Sequence, residues 1–176
     1  MATLVLTVLG DDRPGLVSAL AAPVKAHGAS WERSQMSRLA GKFAGIVVVS
    51  VAGDRLDGLV AELTSLATEG LHVTFEQTGE QTDAPADAEP LQRLNLELLG
   101  ADRPGIVAEI SAALAEAHVS IVELSTDVRE APMAGGTLFE ARAVLTAPAA
   151  GDTDALRAVL EALADELMVE LLLSDD

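Results

Sequence analysis

The sequence predicts an α+β chain built from two tandem ferredoxin-like βαββαβ units, and three observations predict it. A turn recurs: Gly10-Asp11-Asp12-Arg13-Pro14-Gly15 returns about 90 residues later as Gly100-Ala101-Asp102-Arg103-Pro104-Gly105. At the same offset Leu4, Leu6 and Leu9 fall on Leu94, Leu96 and Leu99, Val17 falls on Val107, and Ser30 falls on Ser120. Residues 78–90 are acidic, carry Pro85 and Pro90 and hold no apolar side chain larger than Ala, so they read as a linker. Domains over 1–77 and 91–176 follow. Within each half, apolar residues alternate, then keep helical spacing, then alternate through two runs, then repeat the helix and strand periods.

The elements follow in order. Leu4, Leu6 and Val8 alternate with Val5, Thr7 and Leu9 as in a strand, and Leu94, Leu96 and Leu98 do so with Asn95 and Glu97 facing out. The shared turn then opens a helix. Asp12 and Asp102 are the candidate N-caps, and Pro14 and Pro104 are placed in the first turn, where a missing N–H costs nothing. Leu16, Val17, Leu20 and Val24 mark the first helix, and Ile106, Val107, Ile110 and Leu114 its counterpart. Pro23 interrupts the first of these, where a proline costs about 3 kcal/mol, so that helix is expected to be bent or shortened.

A strand pair follows in each half. Trp31 to Leu39 turns at Ala40-Gly41-Lys42 into Phe43 to Val51, and Val119 to Arg129 turns around Pro132 to Gly136 into Thr137 to Thr146. Leu56, Leu59, Val60, Leu63 and Leu66 mark the next helix, matched by Leu156, Val159, Leu160, Leu163 and Leu167, with Asp54 and Asp152 as caps. Leu71 to Glu76 and Met168 to Leu173 close the two units. The run Ile46-Val47-Val48-Val49 with Val51 is apolar on both faces. A sheet with helices on one side should alternate, so a neighbouring domain or second chain is expected over its other face.

Composition excludes several functions. The 176 residues carry 28 acidic and 11 basic side chains, a formal charge of −17, which opposes direct nucleic-acid or acidic-membrane binding. There is no Cys, hence no disulfide, thiol catalysis or Cys-based zinc site. No apolar run approaches the roughly 18 residues of a membrane span, and the first residues meet Asp11 and Asp12 without a basic start, so no signal peptide is read and a cytoplasmic location is expected. His27, His72 and His118 show no metal-ligand spacing, and no phosphate-loop or nucleophile motif occurs. Metal, cofactor and catalytic residues are all expected to be absent.

A strand ending in Asp-Arg-Pro-Gly that opens a helix in a βαββαβ unit resembles the ACT domain. Two in tandem resemble the glycine cleavage system transcriptional repressor family. Gln35-Met36-Ser37-Arg38-Leu39 with Phe43, Ala131-Pro132-Met133 with Gly135 and Thr137-Leu138-Phe139, and the run from Leu156 to Ala164 carry the likeness further. The resemblance implies a non-catalytic protein that binds a small amino acid, with glycine and serine the candidates. It also implies regulation through a protein partner such as a transcriptional regulator.

The turns suit such a ligand. A helix N-terminus offers free N–H groups and partial positive charge to a carboxylate. Gly15, Leu16 and Val17, with Gly105, Ile106 and Val107, are the expected donors, and Asp12 or Asp102 would meet the ammonium. Arg13 and Arg103 are candidate contacts. Ser30 and Ser120, expected at the same end of the sheet, stand where many amino-acid-binding ACT domains carry Asn. The alternatives are an ACT-fold interaction protein without ligand and, less in keeping with the acidic turn, an enzyme. The small domains and the doubly apolar strand predict that the halves pair and that the chain forms a homodimer.

Overall fold

The computed structural model describes residues 1–78, 91–131, 135–149 and 153–175. The chain divides into two compact units, Met1–Ala86 and Asp87–Asp176. The expected linker, apart from Thr78, lies outside the described residues, as do Pro132 in the second hairpin and the Asp152 cap.

The first unit runs β1 (Ala2–Asp11), α1 (Leu16–Ala26), β2 (Ser30–Leu39), β3 (Lys42–Val51), α2 (Leu56–Ser65) and β4 (Leu71–Thr78), with short 3-10 turns on either side of α2. The second runs β5 (Leu91–Ala101), α3 (Ile106–Glu116), β6 (Ser120–Glu130), β7 (Thr137–Pro148), α4 (Thr153–Leu167) and β8 (Val169–Asp175). Each unit is a four-stranded antiparallel sheet, ordered β2-β3-β1-β4 and β6-β7-β5-β8. The expected ferredoxin-like α+β architecture is therefore present twice.

Each core lies between the sheet and its helices. In the first, Leu4, Leu6 and Val8 on β1 meet Leu20 of α1, Leu59 and Leu63 of α2, and Val47 and Val49 of β3, all fully buried. In the second, Leu94, Leu96 and Leu98 on β5 meet Ile106, Ile110 and Leu114 of α3, and Leu156 and Leu160 of α4. Trp31 packs against the first core. Period 2 on the strand and 3.6 on the helices bring these side chains to one interface, as their spacing requires.

Two local expectations are corrected. α1 is not shortened at Pro23: it has 11 residues, as α3 does, and Pro23 is buried within it. The proline stands near the helix end, and the turn closes through the His27 N–H donating to the Pro23 carbonyl at 3.0 Å. Asp54 is not a cap. It lies inside the 3-10 turn Gly53–Arg55, and neither that turn nor α2 has a side-chain cap. On β3, Val47, Val49 and Val51 are buried on the helix side; on the opposite face of this single chain Ser50 is buried and Ile46 keeps 53% of its surface exposed.

Truncating a fully buried leucine is expected to cost about 2–5 kcal/mol, so Leu59→Ala and Leu160→Ala should lower the urea midpoint strongly. Val159→Ala, at a half-exposed position on α4, should stay within about 0.5 kcal/mol in the same measurement.

Candidate functional site

The strand-to-helix turns are built from backbone. β1 ends at Asp11, and α1 begins at Leu16 behind Gly15, which adopts φ 92°. Gly105 does the same before α3 with φ 100°. Only glycine enters this left-handed region without a Cβ penalty. Both glycines occupy the N-cap position with no side-chain cap. Asp12 and Asp102 are thus not caps, contrary to expectation. Each stands three residues too early, because the turn spends Pro and Gly before the helix starts. Pro14 and Pro104 likewise precede the helix and do not sit in its first turn. The first intrahelical bonds run from Ala19 N–H to the Gly15 carbonyl and from Glu109 N–H to the Gly105 carbonyl, at 2.8 and 2.9 Å. The N–H groups ahead of them point out of the helix end without an intrahelical acceptor.

The backbone of each turn is pinned to the neighbouring hairpin. Asp12 N–H donates to the Gly41 carbonyl and Asp102 N–H to the Thr137 carbonyl, both at 2.9 Å. The strand-end glycines serve packing. A Cβ on Gly10 would lie 2.8 Å from the Gly70 carbonyl oxygen, and one on Gly100 would lie 2.3 Å from Cγ1 of Val169.

The side chains of the two turns differ. Arg38, at the end of β2, donates to Asp12 Oδ2 at 2.9 Å. Arg13 donates to the Glu69 carbonyl at 2.7 Å. In the second unit Arg103 instead forms a two-pronged pair with Glu109 at 2.8 and 3.2 Å, which holds its guanidinium pKa above the ordinary value. The 90-residue offset places Val128 where the first unit has Arg38. The Asp102 carboxylate accordingly has no hydrogen-bond partner among the described residues. Beside the first turn, Lys42 donates to Asp11, and this hydrogen bond with the charge behind it lowers the Asp11 pKa against a smaller opposing effect of burial.

The turn brings together Asp12, Arg13, Gly15, Leu16 and Val17, and the second brings together Asp102, Arg103, Gly105, Ile106 and Val107. It does not bring in the serines. Ser30 pairs with Ser50, and Ser50 with Thr3, at the start of β1. Ser120 pairs with Thr146, and Thr146 with Arg93. The strand after a β-helix-β crossover runs parallel to the one before it, so its first residue lies at the far end of the sheet from the turn. The end of β2 is what adjoins the turn, which is why Arg38 reaches Asp12. Two reversals of direction, into α1 and out of it, make β2 parallel to β1 and place its end at the turn, which the sequence alone could have shown.

Other candidates are structural. His27 Nε2 meets Glu62 Oε2 at 2.8 Å, between α1 and α2, and no group of three metal-ligating residues clusters among the described residues. No helix among them is long and apolar enough to cross a membrane. A concavity of about 380 Å³ lies away from the turns, on the open sheet face of the second unit, lined by Glu97, Arg129, Glu140 and Arg142 among others. Its arginines are already paired: both contact Glu140, and Arg142 also approaches Glu97 at 3.9 Å.

Two helix-opening Asp-Arg-Pro-Gly turns, each in a βαββαβ unit, define a tandem regulatory-domain architecture, and sequence profiles agree. The ACT-domain profile matches residues 2–76 and again 95–166, and the chain belongs to the ACT-domain family. It is similar to the glycine cleavage system transcriptional repressor of Escherichia coli strain K12, with 24% identity over 165 residues covering 93% of this chain and 85% of that one. Among solved structures, a protein of unknown function from Galdieria sulphuraria superposes with a TM-score of 0.85 at 29% identity, covering 99% and 98% of the two chains. A crystal structure of a proposed glycine cleavage system transcriptional repressor superposes with a TM-score of 0.74 at 17% identity, covering 98% and 96%.

Replacing Lys42 by Met should return the Asp11 titration upward to the ordinary carboxylate range, measured by carbon-detected NMR. The sign follows from the lowered folded pKa: the pair stabilises the fold above the unfolded carboxylate pKa, and the contribution is lost as pH falls through the lowered value. Gly15→Ala should cost about 1–2 kcal/mol from its left-handed backbone alone. Gly100→Ala should also destabilise, through collision with Val169, and both are read by denaturant titration.

Proposed function

We propose that this chain is a non-catalytic regulatory protein that binds a small amino acid at its strand-to-helix turns and signals through a protein partner. The partner would be a transcriptional regulator or metabolic protein of the cytoplasm. One observation carries the reading: each turn presents the start of a helix whose N–H groups no side chain caps. A ligand carboxylate is the complementary group, favoured by the N–H donors and the helix dipole. The glycine before the helix leaves main chain accessible to a small ligand. Membership of the ACT family and similarity to a named glycine cleavage repressor support the regulatory role and make glycine and serine the first ligands to try.

The two turns are unequal for this purpose. Asp12 is engaged by Arg38, whereas the Asp102 carboxylate has no hydrogen-bond partner among the described residues and is the better placed to meet an ammonium group. The second unit is therefore the better amino-acid site. The charge of −17 directs any transcriptional effect through another protein, since an acidic surface repels nucleic acid.

A second reading, an interaction protein that keeps the fold without a ligand, is favoured by the placement of Ser30 and Ser120 at the far end of each sheet. Melting temperature against a panel of amino acids decides between the two. Ligand at about 100 times its Kd should add roughly 2.7 kcal/mol. The sensor reading expects a shift with one small amino acid that Asp102→Ala reduces more than Asp12→Ala does. No shift with any amino acid at millimolar concentration favours the second reading.

A further inference from the structure

The two units fill the space between their first helix and outermost strand differently. In the first, Trp31 and Met36 of β2 pack against the core. Met36 pairs with Gly45 and covers it so closely that a Cβ there would fall 2.5 Å from the Met36 Cγ. In the second, the 90-residue offset puts Ile121 and Thr126 at these places, and Thr126 pairs with Ala141. The smaller side chains leave space. An apolar gap of about 60 Å³ opens between α3 and the sheet, lined by Val107, Ser111, Ile121, Leu124, Phe139 and Ala141 among others. The hydroxyl in its wall is already used, since Ser111 Oγ donates to the Ala108 carbonyl at 3.1 Å. A buried water needs about two to four polar partners, so the gap suits apolar atoms better than water.

We infer that this gap takes the side chain of the amino acid bound at the second turn, so that the second unit selects a branched aliphatic ligand (valine, leucine or isoleucine) over glycine or serine. The inference rests on the amino-acid reading above and gives it a ligand class. Val107 joins the two places. Its N–H is one of the free donors at the start of α3, and its side chain, 45% exposed, is the first residue of that helix along the wall of the gap. A ligand held at the turn by its carboxylate and ammonium has one substituent left to place, and the gap is the apolar space beside it. Volume sets the size of that substituent. A water-sized group occupies about 10–15 Å³ on the same measure, so the gap of about 60 Å³ holds on the order of four to six of them. The carbons of a branched aliphatic side chain fit that count, and an indole exceeds it. Glycine leaves the gap empty, and serine brings in a hydroxyl that finds no free partner. Each methylene buried there is worth roughly fourfold in affinity.

Titration calorimetry on the full chain with glycine, serine, valine, leucine, isoleucine and tryptophan tests this. At least one of valine, leucine and isoleucine should bind about tenfold or more tighter than glycine, serine and tryptophan. Two substitutions fill the gap from opposite walls. Ile121→Trp installs the first unit's residue, and Ser111→Leu fills from the helix side. Each should lower the preference for the branched ligand about tenfold, with a thermal melt confirming that the variant is folded. Glycine or serine binding as tightly as the branched ligands would overturn the selectivity and leave the amino-acid reading standing. A preference that survives both fillings would overturn the placement of the side chain in the gap. Binding of no amino acid at all would overturn this inference together with the reading it rests on.

Discussion

The alternate side chains of the first strand in each unit hold the fold together. Leu4, Leu6 and Val8 are fully buried, and Leu94, Leu96 and Leu98 nearly so. β1 and β5 are interior strands, hydrogen-bonded on both edges. Their inward side chains touch both helices and anchor the register on either side. A slip by one residue would carry all three apolar side chains to the opposite face and expose them. The turn that follows inherits its position from this strand. Gly10 and Gly100 can approach the backbone of β4 and β8 only because the strand register puts them there.

From that anchor the chemistry of the helix start follows. A glycine in the left-handed region reverses the chain and starts a helix without any side chain at its cap. The polar side chains around it are then free for other work, and each unit uses them differently. In the first, Arg38 binds Asp12 and Arg13 holds the chain before β4. In the second, Arg103 turns to Glu109, and Asp102 has no hydrogen-bond partner among the described residues. Two repeats with one backbone thus offer two electrostatic environments.

The sequence made most of the fold legible, because period-2 and period-3.6 burial are local and strong. Strand and helix positions follow Leu94, Leu96 and Leu98 or Ile106, Ile110 and Leu114 with little ambiguity. Caps were not legible. Asp12, Asp54 and Asp102 have the side chains caps prefer, yet a positive φ at Gly15 or a 3-10 turn at Gly53–Arg55 decides where a helix begins. Ser30 and Ser120 misled because their matching place in the repeat does not say which end of the sheet they occupy. Topology within one unit sets them at the other end of the sheet. Pro23 misled in the opposite sense: it stands in the last turn of α1, and the helix keeps its full 11 residues. The partner of Asp12 was hidden because Arg38 is 26 residues away and meets it only through strand direction.

The uncapped glycine turns have an evolutionary consequence. A cradle made of main-chain N–H groups is defined by φ and ψ, and not by the chemistry of the side chains around it. Substitutions in the neighbouring residues leave it intact as long as the glycine stays. Such a feature can persist while the rest of a sequence drifts to low identity. A change at one residue, Gly15 or Gly105, alters its backbone, so either turn can be reshaped independently of the other.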